Sequence, residues 1–106
     1  MYIVIFITTP NKKEANKIAR SLLRKRLAAC VNIVDKIESF FWWRGKIDKA
    51  KETLLIIKTK KALIPQLIKK VKSLHSYKVP EIIALPIVSG EKKYLGWLDE
   101  SLRKST

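Results

Sequence analysis

A metal ion or a general base needs a side chain with an available lone pair near neutral pH, and this chain has one histidine, His75, and one cysteine, Cys30. Neutral imidazole is a good ligand for copper or zinc, and thiolates suit soft ions. His75 and Cys30 are therefore the candidate metal ligands. They lie far apart in sequence, so only convergence in the folded protein makes them one site. Each also has a plain structural reading. His75 follows a helical segment and leads into Ser76-Tyr77, where it suits a helix-end or interfacial polar role, and Cys30 opens a strand between Ala29 and Val31, where a small thiol fits as core. No Gly-rich phosphate loop and no Cys or His pair at zinc spacing is present, and His75 is the only conventional base. Glu81 or Asp35 could act as acid or base, but neither has a visible partner. An enzyme is not expected.

The elements that must position these residues fit one domain over residues 1–106. A chain of this length buries about two-thirds of its unfolded surface, enough for a modest core that a partner subunit would help. Hydrophobic residues make up 47%, with three Gly and four Pro, which describes an ordered globular chain with short turns. Met1 leads directly into an apolar run without a basic leader, and no apolar stretch approaches the roughly 20 residues that cross a bilayer. A lone cysteine fits a reducing compartment. A soluble, cytoplasmic protein without a membrane partner is expected. Lys and Arg number 23 against 9 Asp and Glu, a net charge of +14. This charge speaks of partners and solubility and not of fold. Its basic pairs read first as a solvated helix face, and second as a nucleic-acid or phosphate surface.

Tyr2 to Ile7 is apolar on both alternating faces, as a central strand should be. Asn11 with Glu14 three residues later resembles a capping box, and Ala15, Ile18, Ala19, Leu22, Leu23 and Leu27 then recur at helical spacing. From Ala29 the period is two: Val31, Ile33, Ile37, Phe41 and Trp43 alternate with Asn32, Val34, Glu38, Phe40 and Trp42 up to a turn at Arg44-Gly45-Lys46. The return strand runs from Ile47 to Lys58. Thr59 is the expected cap of a second helix carrying Ile64, Leu67, Ile68, Val71 and Leu74, with Pro65 in or near its first turn. Ile82 to Leu85 reads as a short buried strand, and Leu95, Leu98 and Leu102 as the inner side of a third helix. The order predicts an α+β, ferredoxin-like βαββαβ sandwich with an extra C-terminal helix and a long β-hairpin. Two helices should cover one face of a four-stranded antiparallel sheet.

A strand of about 14 residues at ~3.3 Å each spans ~46 Å, whereas a globule of this chain length is only ~33 Å across. The hairpin should overhang its own domain. Its overhang carries Phe40, Phe41, Trp42 and Trp43, which together form a patch of the size that marks an interface. Self-association through these four residues is expected.

Several blocks resemble one family. Ala28-Ala29-Cys30-Val31-Asn32-Ile33, Phe41-Trp42-Trp43-Arg44-Gly45-Lys46, Lys58-Thr59, His75-Ser76-Tyr77-Lys78-Val79-Pro80-Glu81 and Tyr94-Leu95-Gly96-Trp97-Leu98 are similar to the signature of the CutA divalent-cation tolerance family. The resemblance implies a homotrimer with long hairpins packed on neighbours and clefts between subunits, linked to tolerance of divalent cations, copper above all. It implies no established catalysis. It also implies that Asn32, Lys58, Tyr77 and Glu81, which belong to these blocks, line the interface cleft or satisfy backbone groups around the trimer axis. The family's usual His-Pro-Tyr-Glu-Val-Pro-Glu carries Ser76 and Lys78 here, and Lys78 should weaken cation attraction. Suggested copper ligands in some bacterial members, a Cys at the end of the first strand and a His pair, correspond to Ile7 and Leu74-His75, so only His75 carries over.

The leading expectation is a non-enzymatic homotrimer in divalent metal tolerance, with Cu2+ or another divalent cation weakly bound. A PII-like sensor of a small molecule or anion, using Lys58, Lys60 and Tyr77, is an alternative from fold analogy. Nonspecific nucleic-acid binding through the basic surface is another; specific recognition is not expected.

Overall fold

The computed structural model describes residues 1–104. In chain order the elements are β1 (Tyr2–Thr9), α1 (Lys12–Arg24), β2 (Cys30–Trp43), β3 (Lys46–Lys60), a 3-10 turn (Lys61–Leu63), α2 (Ile64–Leu74), β4 (Ile82–Pro86) and α3 (Lys92–Ser101). The strands form one antiparallel sheet in the order β2-β3-β1-β4. This is the ferredoxin-like arrangement, with α1 and α2 on one face. Ile3, Ile5 and Ile7 of β1 and Leu55 and Ile57 of β3 point to that face and are buried against Ala15, Ile18 and Leu22 of α1 and Leu67 and Val71 of α2.

Local chemistry explains the boundaries. Asn11 Oδ1 accepts the Glu14 backbone N–H at 2.8 Å and opens α1, as the capping pattern predicts. Thr59 does not cap α2. It stays in β3, and its hydroxyl donates to the Leu27 carbonyl at 2.7 Å, fastening the end of α1 to the sheet. The 3-10 turn leads into α2 instead, with Pro65 in the first turn, where its missing N–H costs nothing. Glu91 caps α3 by accepting the Tyr94 N–H at 2.8 Å. Leu98 and Leu102 of that C-terminal region are buried in the core and Leu95 is half-buried.

Two expectations about strands need correction. Ile82 to Leu85 is not buried within the chain: β4 is an edge strand paired only with β1, and Ile83 and Leu85 remain exposed. The alternation along β2 is also broken. Cys30 pairs with Lys58 and Val34 with Leu54, but Ile37 pairs with Glu52, so β2 carries one extra residue. Val31 and Ile33 therefore share the helix-covered face with Ile57 and Leu55, while Ile37, Phe41 and Trp43 lie on the opposite face with Glu52, Asp48 and Lys46. The physical reason lies at the tip. The two-residue turn Arg44-Gly45, with φ of 50° and 77°, pairs Trp43 with Lys46. That pairing is one residue out of phase with the pairing at Cys30, and a bulge must absorb the difference. Lys36, at φ 57°, does so. Its N–H donates to Asp35 Oδ1 at 2.9 Å, and the Thr53 hydroxyl donates to the same oxygen at 2.8 Å.

The molecule measures 44 × 27 × 21 Å, and the hairpin is what elongates it. Helices cover one face of the sheet. On the other, Val4, Phe6, Leu54 and Ile56 are only half-buried.

Candidate functional site

A concavity of about 1010 Å³ lies where the hairpin meets the segment after α2. Phe40, Phe41, Trp43 and Asp48 of the hairpin form one side, and Ser76, Tyr77, Lys78, Val79 and Glu81 form the other, with Glu52 and Thr8 at the base. His75 anchors this segment. Its Nδ1 accepts the Tyr77 backbone N–H at 3.0 Å, so the ring is neutral with its proton on Nε2, which donates to the Thr8 carbonyl at 2.8 Å. Glu14 Oε2 stands 3.4 Å from Nδ1 and accepts the Ser76 N–H at 3.1 Å. The imidazole is 0% exposed. It joins α2 to β1 and fixes the first residues of the concavity wall.

Tyr77 reaches over the base and donates to Glu52 Oε2 at 2.8 Å. Burial, then the hydrogen bond to Glu52 and the charge of that carboxylate and of Glu14, push the phenol up to about 12. Tyr77 thus holds its proton at all ordinary pH. Sequence reasoning gives Glu52 and Thr8 no part in a site, and gives Glu14 only a place in the capping pattern with Asn11. Glu52 had one faint signal, a lone acid among lysines in Lys49-Ala50-Lys51-Glu52, whereas the Thr8 contribution is a backbone carbonyl and leaves no trace in residue type.

Three other candidates form a second group. Cys30, Asn32 and Lys58 lie together on the face opposite α1 and α2: the Lys58 ammonium donates to Asn32 Oδ1, and Cys30 Sγ is 3.9 Å from the same oxygen. Tyr94 of α3 closes on this group, and burial, with the neighbouring Cys30 thiol second, raises its phenol. Through the ladder Cys30 aligns with Lys58 and Lys58 with Val4, whereas His75 binds at Thr8, four residues along β1 and at least ~13 Å away. Tyr77 is similarly separated from Lys58, because Glu52 and Lys58 are six residues, ~20 Å, apart on β3. The structure brings Tyr77 and Glu81 together at the concavity, and Cys30, Asn32 and Lys58 together elsewhere.

A resident divalent metal does not fit the described residues of one chain. No three His, Cys, Asp or Glu side chains converge among them. Both nitrogens of His75 are committed, and a lysine ammonium stands in the Cys30 group. Metal contact requires donors from outside the single chain or a loose, partly hydrated ion at surface carboxylates. Phe40, Phe41, Trp42 and Trp43 remain exposed, Trp42 at 73% and Trp43 at 56%, with the Arg44 guanidinium over the Trp43 ring at 5.4 Å.

Comparison with known proteins adds to this geometry. The chain is 52% identical over 103 residues to the rice protein named Protein CutA 1, chloroplastic, covering 97% of this chain and 58% of the relative. The Arabidopsis thaliana Protein CutA, chloroplastic, is 50% identical over 101 residues, covering 95% and 56%. The chain thus spans little more than half the length of these two relatives. The Archaeoglobus fulgidus divalent-cation tolerance protein CutA is 48% identical over 102 residues, covering 96% and 99%. Among solved structures, rice CutA1 superposes with a TM-score of 0.95 at 51% identity, covering 98% of this chain and 95% of that one. The A. fulgidus structure, described as a periplasmic divalent cation tolerance protein, gives 0.93 at 48%, covering 97% and 100%. These names overturn the expected cytoplasmic location: relatives of this identity are chloroplastic or periplasmic, so a lone cysteine and an apolar start do not assign a compartment. No described helix is long and apolar enough to cross a membrane. The family model described as CutA1 divalent ion tolerance protein matches residues 3–101, and the chain belongs to that family.

Proposed function

We propose that this chain acts in divalent-cation tolerance as a homotrimer, without catalysing a reaction, and meets its cation weakly and reversibly in a cleft completed by a neighbouring subunit. The observation that carries this reading is the one-sided sheet with its overhanging hairpin. Helices cover one face, and the other leaves Phe6, Leu54, Ile56, Ile83 and Leu85 with the hairpin aromatics beside an open concavity. Apolar surface of this extent marks an interface, and further copies of the chain cover it under closed symmetry.

The cleft offers a cation the hard oxygens of Glu52, Glu81 and Asp48. The Lys78 ammonium on the same wall opposes a second positive charge, which keeps affinity low. His75 could enter a copper site only by giving up its bonds to Thr8 and Tyr77. The reading without catalysis rests on the same bonds, because the one histidine is occupied and Tyr77 retains its proton up to about pH 12.

Light scattering coupled to size exclusion should give three times the chain mass at micromolar concentration. Calorimetric titration with Cu2+ and Zn2+ should show weak binding that Glu52→Gln with Glu81→Gln removes and Cys30→Ala leaves unchanged. A monomer would sink the assembly. Tight binding abolished by Cys30→Ala alone would move the cation to the other residue group.

A further inference from the structure

The cations are not spread evenly over the fold. Eleven of the 23 Lys and Arg lie between Lys12 and Arg26 or between Lys61 and Lys72, in the layer built by α1, the 3-10 turn and α2. Of the nine acids only Glu14 lies there, and it is turned inward onto Ser76 and His75. The rest of the chain has twelve cations and eight acids. Among the described residues, the one ion pair, Lys60 with Asp99, uses no cation of the helical layer. The layer is therefore a surface of a single sign.

Its shape and chemistry narrow the partner. Lys13, Lys17, Arg20 and Arg24 follow i, i+4, i+7, i+11 spacing, a stripe rising ~16 Å along one side of α1. Each strand of a duplex presents one phosphate per ~3.4 Å of axis, so the stripe spans four or five phosphates. The layer contains no aromatic residue, hence no platform on which unstacked bases could rest. Leu23 is its only exposed large apolar side chain, so nothing is built to enter a lipid surface. Eight of the eleven cations are lysines, compact charges that neutralise phosphate without the bidentate fork that reads guanine. We propose that the α1–α2 layer binds the sugar–phosphate backbone of double-stranded nucleic acid without reading its sequence. This surface faces away from the uncovered sheet face, so it is available whether or not the chain assembles as proposed above.

The test measures anisotropy of a labelled duplex of about 20 base pairs. Contact with four or five phosphates predicts a roughly 10²–10³-fold loss of affinity from 50 to 200 mM salt. K13E/K17E/R20E should weaken binding at 50 mM salt by at least ~30-fold, while K92E/K93E/K104E, with the same change in net charge, should weaken it by less than about threefold. Circular dichroism checks that both variants fold, and K13A/K17A/R20A replaces the first if it does not, with a loss of at least tenfold expected. Equal losses in the two triple variants would reduce the effect to net charge and overturn the proposal. So would tighter binding to the single strand, no duplex binding at 50 mM salt, or binding to phosphatidylserine vesicles without binding to the duplex.

Discussion

At the scale of single residues, His75 is a fastener. Its ring closes two backbone groups, the buried Thr8 carbonyl and the half-buried Tyr77 N–H, and no buried side-chain nitrogen or oxygen among the described residues lacks a partner. His75→Ala orphans the Thr8 carbonyl and the Tyr77 N–H, so it should destabilise the fold by about 2–4 kcal/mol in denaturant unfolding. An unchanged midpoint would return His75 to the role of a free ligand. The sequence placed it correctly at the end of α2 but could not reveal this, because its partners are backbone atoms of β1 and of its own loop. Tyr77 makes a second prediction. Folding favours its neutral phenol, so its contribution to stability is whole below about pH 10, the unfolded value, and is lost as pH rises through the folded value of about 12. Ultraviolet titration should show one tyrosine ionising near pH 12, and Glu52→Gln should bring that step down. A Tyr77 step unmoved by the substitution would show that burial alone sets it.

Elements were legible wherever a period or a turn residue dictated them. The helical repeats of α1 and α2, the Arg44-Gly45 turn and the order of strands all follow from local pattern. What failed was phase and depth. Alternation along β2 gives no sign that a residue is unpaired, and an apolar run such as Ile82 to Leu85 looks the same whether its cover is its own chain or another. The hairpin tip is where element and assembly meet. With Trp42 and Trp43 exposed at 73% and 56%, burying what remains of two indoles of ~150–250 Å² at ~25 cal/mol per Å² contributes about 5–8 kcal/mol per subunit before ordering costs. Trp42→Ala with Trp43→Ala should therefore dissociate the proposed trimer in light scattering at micromolar concentration, while Lys12→Ala should not. An intact double variant would place the assembly contact elsewhere.

At the scale of the whole molecule, a charge of +14 on 106 residues opposes compaction, and the opposition is concentrated where α1 and α2 lie side by side. Screening should relieve it. The melting temperature should rise between about 10 and 150 mM sodium chloride, over which the Debye length shrinks from ~30 to ~8 Å. K13E/K17E/R20E should flatten that rise, and an identical salt response in the variant would mean that the repulsion lies outside the helical layer. The bulge at Lys36 has a molecular consequence of its own. A bulge bends its strand and tightens the twist, so Lys36 steers the half of the hairpin beyond it. Deleting Lys36 leaves Val34 opposite Leu54 and Ile37 opposite Glu52 and keeps every side chain on its present face. The shortened hairpin should fold with an unchanged circular dichroism spectrum and carry the same aromatic tip, yet point it in a different direction. Loss of the trimer in such a protein, with all its contact residues intact, would show that assembly depends on where the arm is aimed as much as on what it holds.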